Sequence, residues 1–184
     1  MKVMVVSGSR NPQGQTARAA EALVEGLRSE GAEAEIVFLP GVHIERCRQC
    51  DEAGWGICRT EGRCVIEDDF AAIVEGIRSV DVVVFATPVY FGDLSESLRA
   101  FLDRLRRITR HEAGKEQIAG KRAVGICVAG GGGGGAPACA ASLEKTLATC
   151  GFEVVDVVPV RRQNLAMKQQ VLTVVGRWLA SAGS

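Results

Sequence analysis

An apolar run, Val3-Met4-Val5-Val6, passes without a spacer into Ser7-Gly8-Ser9-Arg10-Asn11-Pro12-Gln13-Gly14-Gln15-Thr16, and an amphipathic helical pattern leaves it. No other stretch constrains the fold as much. Small residues between a strand end and a helix start leave backbone N–H groups turned inward, where the helix dipole favours an anion. Gly8 and Gly14 permit close approach of the chain. Ser7, Ser9 and Thr16 offer hydroxyl donors, and Arg10 adds positive charge. The junction predicts a strand–loop–helix unit whose turn cradles a phosphate.

The rest of the chain repeats this alternation. Residues 15–30 read as a helix with Ala19, Ala20, Leu23, Val24 and Leu27 on one face, stopped by Gly31. A strand follows over 34–39, then a cysteine-bearing loop over about 41–67. Asp68 or Asp69 caps a helix whose face is Phe70, Ile73, Val74 and Ile77. Asp81–Ala86 is a near-continuous apolar strand of the kind buried on both faces. Ser95 caps a helix running to about Ile108. Strands over 122–129 and 153–158, and helices over 137–150 and 166–180, complete the pattern. On the last helix Met167, Val171, Val174 and Trp178 share one face, and Trp178 reads as core or subunit-interface filler. Alternation of this kind predicts a doubly wound α/β fold with a parallel sheet, one domain spanning 1–184.

A formal net charge of zero argues against capture by nucleic acid or an anionic membrane. No apolar run reaches membrane-spanning length, and the opening run is too short for a signal-peptide core, so the expected location is the cytoplasm.

In an open parallel sheet, ligands sit beyond the carboxyl ends of the strands, where the strand order reverses. Three loops end there: the phosphate cradle, Thr87-Pro88-Val89-Tyr90-Phe91-Gly92-Asp93, and the six glycines Gly130–Gly135. Tyr90 and Phe91 suit stacking on a flat aromatic ligand, or else plug the core at a strand end. Gly130, Gly131, Gly132 and Gly133 expose peptide groups to a ring system, or else form a slack connector. A phosphate plus a flat ring points to flavin mononucleotide, FMN. The cradle carries neither the ATP-loop nor the dinucleotide glycine pattern.

The pattern Gly-Ser-x-Arg-x-x-x-Gly-x-Thr, the Thr-Pro-Val-Tyr-Phe-Gly loop and Phe101-Leu102-Asp103-Arg104 resemble those of NADPH-dependent FMN reductases and iron–sulfur flavoproteins. The resemblance implies a flavodoxin-like fold with strand order 2-1-3-4-5. It implies that Ser9, Arg10, Gly14, Gln15 and Thr16 hold the phosphate, with Ser7 and Thr87 beside them. Pro88, Val89, Tyr90, Phe91, Gly92 and the glycines from Gly130 onward would meet the ring. The activity implied is an FMN-dependent oxidoreductase, with the flavin rather than a protein acid or base carrying the chemistry. NAD(P)H is the cosubstrate, and the acceptor is a quinone, another small molecule or an iron–sulfur centre. A homodimer or homotetramer follows from the same resemblance. The other reading is an electron carrier serving ferredoxin-like partners.

Of seven cysteines, Cys127 and Cys150 sit in core patterns, while Cys47, Cys50, Cys58 and Cys64 crowd one loop. Four thiolates this close can hold a 4Fe–4S cluster or zinc, or remain free thiols, and all three readings stay open. Iron–sulfur flavoproteins carry a compact cysteine motif at this position; here about five extra residues, Glu52 to Gly56, widen the second gap and bring in Trp55. Arg46, Arg48, Arg59 and Arg63 either stabilise thiolate charge or are solvated loop residues. Arg104, Arg106, Arg107 and Arg110 read as a solvated helix face, or as a dock for NAD(P)H phosphates. His43 and His111 are assigned no role.

Overall fold

Five strands form one parallel sheet in the order β2-β1-β3-β4-β5. They are β1 (Lys2–Ser7), β2 (Glu33–Phe38), β3 (Val82–Pro88), β4 (Arg122–Ala129) and β5 (Glu153–Arg161). This is the expected strand order. The computed structural model describes residues 1–181, so the last three residues of the expected 1–184 span lie outside the described residues. The helices are α1 (Gln15–Ser29), α2 (Ile57–Thr60), α3 (Phe70–Ser79), α4 (Glu96–Thr109), α5 (Glu112–Lys115), α6 (Ala136–Thr149) and α7 (Leu165–Ser181). The one-turn helices α2 and α5 lie inside segments read from sequence as loops.

Strand alternation sorts the core into two layers. Val3 and Val5 of β1 and Val82 and Val84 of β3 face α1 and α7. Met4, Val6, Val83 and Phe85 point the other way, against α3, α4 and α6. The register sets Ser7 level with Ala86, and Thr87 level with Cys127. The loops after β1, β3 and β4 therefore leave the same edge of the sheet. No helix among the described residues is long and apolar enough to cross a membrane.

β3 runs two residues past the expected Ala86, through Thr87 and Pro88, and two further features differ. β5 continues three residues beyond 158, through Pro159. It pairs only with β4, and a proline is tolerated on an edge strand because the missing N–H faces no neighbour. The second difference is the face of α7. Met167, Val171, Val174 and Trp178 are all exposed, and the helix instead buries Leu165, Leu172, Gly176 and Leu179. Glycine explains the choice. A Cβ at Gly176 would stand 2.2 Å from the Leu23 carbonyl oxygen, and one at Gly26 would stand 2.1 Å from that of Thr173. The two helices meet backbone to backbone at these glycines, and that contact fixes the rotation of α7.

Candidate functional site

The three loops border a cleft of about 680 Å³, partly open to solvent, at the carboxyl end of the sheet. Its floor is the start of α1. The N-cap is Gly14, which offers no side chain to the first-turn N–H groups, and no acid stands in that turn. The positive end of the helix dipole thus faces the cleft without a counter-charge. Thr16 is buried in the wall, and the Gln15 side-chain oxygen is buried there with no hydrogen-bond partner. A buried polar atom left unpaired is costly, so this oxygen marks a place where the protein expects a donor.

The cradle is tied down from below. The Gly8 N–H donates to the Ala86 carbonyl (2.8 Å), and Ser97 Oγ donates to the Gly8 carbonyl (3.1 Å). A Cβ at Gly8 would fall 2.2 Å from Ser95 Oγ, so this glycine serves packing against the start of α4. Ser95 caps α4 by accepting from the Leu98 N–H (3.5 Å), and its own N–H donates to Thr87 Oγ1 (3.0 Å). Ser7 and Thr87 are fully buried beneath the cleft and hold these turns. Ser9 and Gly14 reach its wall, whereas Arg10 is exposed and off it. Sequence reading passed over Asn11, which lines the cleft. Its Oδ1 accepts from the Gln13 N–H (2.9 Å), a local turn bond that an Asn-Pro pair signals.

Pro88, Val89, Tyr90 and Gly92 form the second wall. Tyr90 and Asp93 exchange reciprocal backbone hydrogen bonds (3.0 and 2.9 Å) across Phe91 and Gly92. Both central residues have positive φ, 52° and 76°, as in mirror-image hairpin turns. A phenylalanine in that region is strained. Its side chain is fully exposed, away from the cleft, in a neighbouring groove with Leu94, Glu96 and Arg99. Arg99 anchors the turn through Asp93 (2.5 Å), which also accepts from Ser142 Oγ (2.8 Å). Burial works to raise the Asp93 carboxyl, but the bonds from Ser142, the Leu94 N–H and Arg99 carry it below its ordinary value.

The glycine run closes the cleft as a turn, with the Gly133 N–H on the Gly130 carbonyl (2.9 Å) and positive φ at Gly131 and Gly133. Gly130, Gly131 and Gly133 line the wall; Gly132 does not. A Cβ at Gly135 would come within 3.0 Å of the Gly92 Cα, so the second and third loops touch backbone to backbone.

Cys47, Cys50, Cys58 and Cys64 line a separate recess of only about 20 Å³, also partly open, between their loop and α4. All are free thiols. Among the described residues, no group of three or more histidine, cysteine or acidic side chains is arranged to hold a single metal ion. The loop arginines do not supply the positive charge here, apart from Arg48 at the rim, which pairs with Glu45. The cations come from α4. The solvated-face reading of Arg104 is corrected: it is 1% exposed and pairs with Asp68 through both guanidinium arms (2.5 and 3.0 Å). It also donates to the Glu45 carbonyl (3.0 Å) and lies 4.1 Å from the centre of the Phe70 ring. Burial works to raise the Asp68 carboxyl, but the Arg104 bonds and the Glu45 N–H hold it below its ordinary value. Arg107 donates to the Gly54 carbonyl and covers the Trp55 ring, which packs edge-on against His111. The Nε atoms of both arginines are buried without a partner.

The remaining cysteines, Cys127, Cys139 and Cys150, are buried, and burial pushes the Cys150 thiol up to about 12.

Comparison with known proteins adds the following. Residues 1–170 match the family model described as NADPH-dependent FMN reductase. An iron–sulfur flavoprotein of Methanocaldococcus jannaschii is 31% identical over 131 residues, 71% of this chain and 65% of the relative. One from Methanosarcina thermophila is 32% identical over 128 residues, 68% of this chain and 63% of the relative. The chain thus spans less than two thirds of the length of these relatives. Among solved structures, an NAD(P)H:quinone oxidoreductase from Methanothermobacter marburgensis superposes with a TM-score of 0.69 at 21% identity, covering 97% of this chain and 96% of that one.

Proposed function

This chain belongs to the NADPH-dependent FMN reductase family, and from that premise we propose that it is an FMN-dependent oxidoreductase taking electrons from NAD(P)H to a small acceptor of the quinone type. The observation that carries the reading is the unpaired Gln15 oxygen beside the uncapped start of α1, in a cleft walled by an aromatic and by bare glycine backbone. These residues fit FMN chemically. The first-turn N–H groups of α1, with Ser9, Asn11 and Thr16, take the phosphate, and Arg10 lends charge from outside the wall. The Gln15 oxygen accepts a ribityl hydroxyl or a ring N–H. Pro88, Val89, Tyr90 and Gly92 border the ring on one side, and Gly130, Gly131 and Gly133 approach it on the other. Bound there, the flavin supplies hydride acceptance and onward electron transfer.

The chain's own part is positional. Reciprocal turn bonds fix Tyr90, and Thr87 and Ser95 hold the loop beneath it. The open side of the cleft admits a second flat molecule, nicotinamide or quinone in turn. Purification under anaerobic conditions tests the reading. The expected result is a flavin spectrum that NADPH or NADH bleaches and a quinone restores. A protein that binds no FMN, or bound FMN indifferent to both nicotinamides, would sink it.

The cysteine recess favours a second reading, an iron–sulfur flavoprotein exchanging electrons with a ferredoxin-like partner. Four thiols line one recess, and iron–sulfur flavoproteins are among the relatives of this chain. In that case reduced ferredoxin, and neither nicotinamide, bleaches the flavin.

A further inference from the structure

The rim of the cleft has a fourth contributor, the junction between β5 and α7. Arg161 ends β5 level with Ala129 of β4, the residue that leads into the glycine run. Its N–H donates to Asn164 Oδ1 (2.8 Å), which fixes the backbone there. Its stem lies against Gly133: a Cβ on that glycine would stand 2.8, 2.9 and 3.0 Å from Cγ, Cβ and Cδ of Arg161. Gly133 lines the cleft, so the stem is anchored on the cleft wall. Two residues on, Gln163 Nε2 donates to the Gly131 carbonyl (2.8 Å) and fastens the same run. Arg161 is exposed, and among the described residues no carboxylate pairs with it. The lining of the cleft itself carries no charged side chain. Three of the α4 arginines that sequence offered as a dock for dinucleotide phosphates are engaged elsewhere: Arg104 on Asp68, Arg106 on Asp103 (3.3 Å) and Arg107 on the Gly54 carbonyl.

Resting on the oxidoreductase reading of the cleft, we propose that Arg161 is a specificity-determining residue for the nicotinamide cosubstrate, its guanidinium binding a phosphate of the dinucleotide at the rim while the nicotinamide occupies the open side. A dinucleotide is polyanionic. A wall of backbone and neutral side chains offers its phosphates no countercharge once FMN has taken the start of α1. Arginine suits the task, because its planar fork of donors matches phosphate geometry. Packing the stem on glycine holds the arm in place beforehand, so less side-chain freedom is lost on binding. An unpaired guanidinium also has no ion pair to break before it takes the phosphate. Gly133 then serves twice: its φ of 75° makes the turn, and its missing side chain leaves room for the arm.

The experiment uses the full chain loaded with FMN, as wild type, Arg161→Gln, Arg161→Lys and, for comparison, Arg177→Gln, an exposed arginine near the far end of α7. Calorimetric titration with NADP⁺ and NAD⁺ reads binding without turnover. Quinone reduction reads kcat/KM for NADPH and for N-benzyl-dihydronicotinamide, a hydride donor without phosphates. Arg161→Gln should weaken NADP⁺ binding about tenfold and lower the ratio of the two kcat/KM values about tenfold. Arg161→Lys should recover part of both, and Arg177→Gln should stay within about twofold of wild type. An equal loss for NAD⁺ places the contact on the pyrophosphate; a loss confined to NADP⁺ places it on the extra ribose phosphate. If NADPH reduces the wild type but Arg161→Gln keeps the wild-type affinity and ratio, the inference is overturned and the oxidoreductase reading stands. Equal losses in Arg161→Gln and Arg177→Gln overturn it too, since they report only overall charge. A wild type that NADPH and NADH both leave oxidised overturns the oxidoreductase reading, and the inference with it.

Discussion

The cleft and the cysteine recess are built from opposite materials. The cleft is made of backbone: an uncapped helix start, a two-residue turn and a run of glycines, with Gln15 as the one side chain holding an unpaired buried atom. The recess is made of side chains: four thiols, three arginines and a tryptophan, fixed by a buried ion pair. Backbone sites depend on local sequence, since each loop brings its own donors. Side-chain sites depend on what a distant element delivers; Arg104 lies 36 residues from its Asp68 partner. The first kind tolerates substitution in its neighbours and fails when a charge enters it. The second fails when one member of the pair is lost.

The largest expected effect breaks the cleft alone. Thr16→Glu sets a carboxylate against the phosphate of FMN. At about 4 kcal/mol per unit charge pair near a protein surface, affinity should fall roughly a thousandfold, as read by flavin fluorescence titration. Retention of FMN at wild-type affinity would mean that the cradle is not where the phosphate sits. Next comes the recess. Asp68→Ala strands the buried Arg104 charge and should cost about 3 kcal/mol in urea unfolding. FMN affinity should stay within about threefold if the two regions are independent; a parallel collapse of FMN binding would make them one unit.

Acid sharpens the same contrast. Asp68 and Asp93 both lie below their ordinary value of 3.8 in the folded chain. The unfolded state therefore takes up protons first as pH falls. The stability they contribute is fully present above the ordinary carboxylate range and drains away as pH drops below about 4, through the lowered folded values. Unfolding measured at pH 7 and pH 3 should show this loss in wild type and a smaller loss in Asp68→Asn. The smallest effect belongs to the rim. Phe91→Gly removes an exposed ring from a positive-φ position and should stabilise the fold by up to about 1 kcal/mol in thermal melts. Destabilisation there would show that the ring packs on something in solution.

Much of this was legible in the sequence where one residue's neighbours along the chain settle its fate. The Val82–Phe85 run could only be a doubly covered strand, and Ala19, Ala20, Leu23, Val24 and Leu27 could only be one buried face. The cap at Ser95 was equally local. Arg104 was misread because arginine on a helix with other arginines looks solvated until its acid partner is placed in space. The docking face of α7 was not legible because the apolar face of Met167, Val171, Val174 and Trp178 stays exposed, whereas the helix docks through Gly176, which carries no hydrophobic signal at all. Phe91 sits in a motif that promised a ring contact, yet the turn that fixes Tyr90 on the cleft sends the next residue outward.

The glycine crossing of α1 and α7 has a mechanical meaning for the cleft. With carbonyl oxygens standing where side chains would be, neither helix can roll or slide past the other without colliding. α1 is therefore braced in its C-terminal half like a beam clamped near one end, and its far end is the anion cradle. A single methyl group added at Gly26 or Gly176 levers that end away from the sheet, so damage far behind the site is felt at its floor.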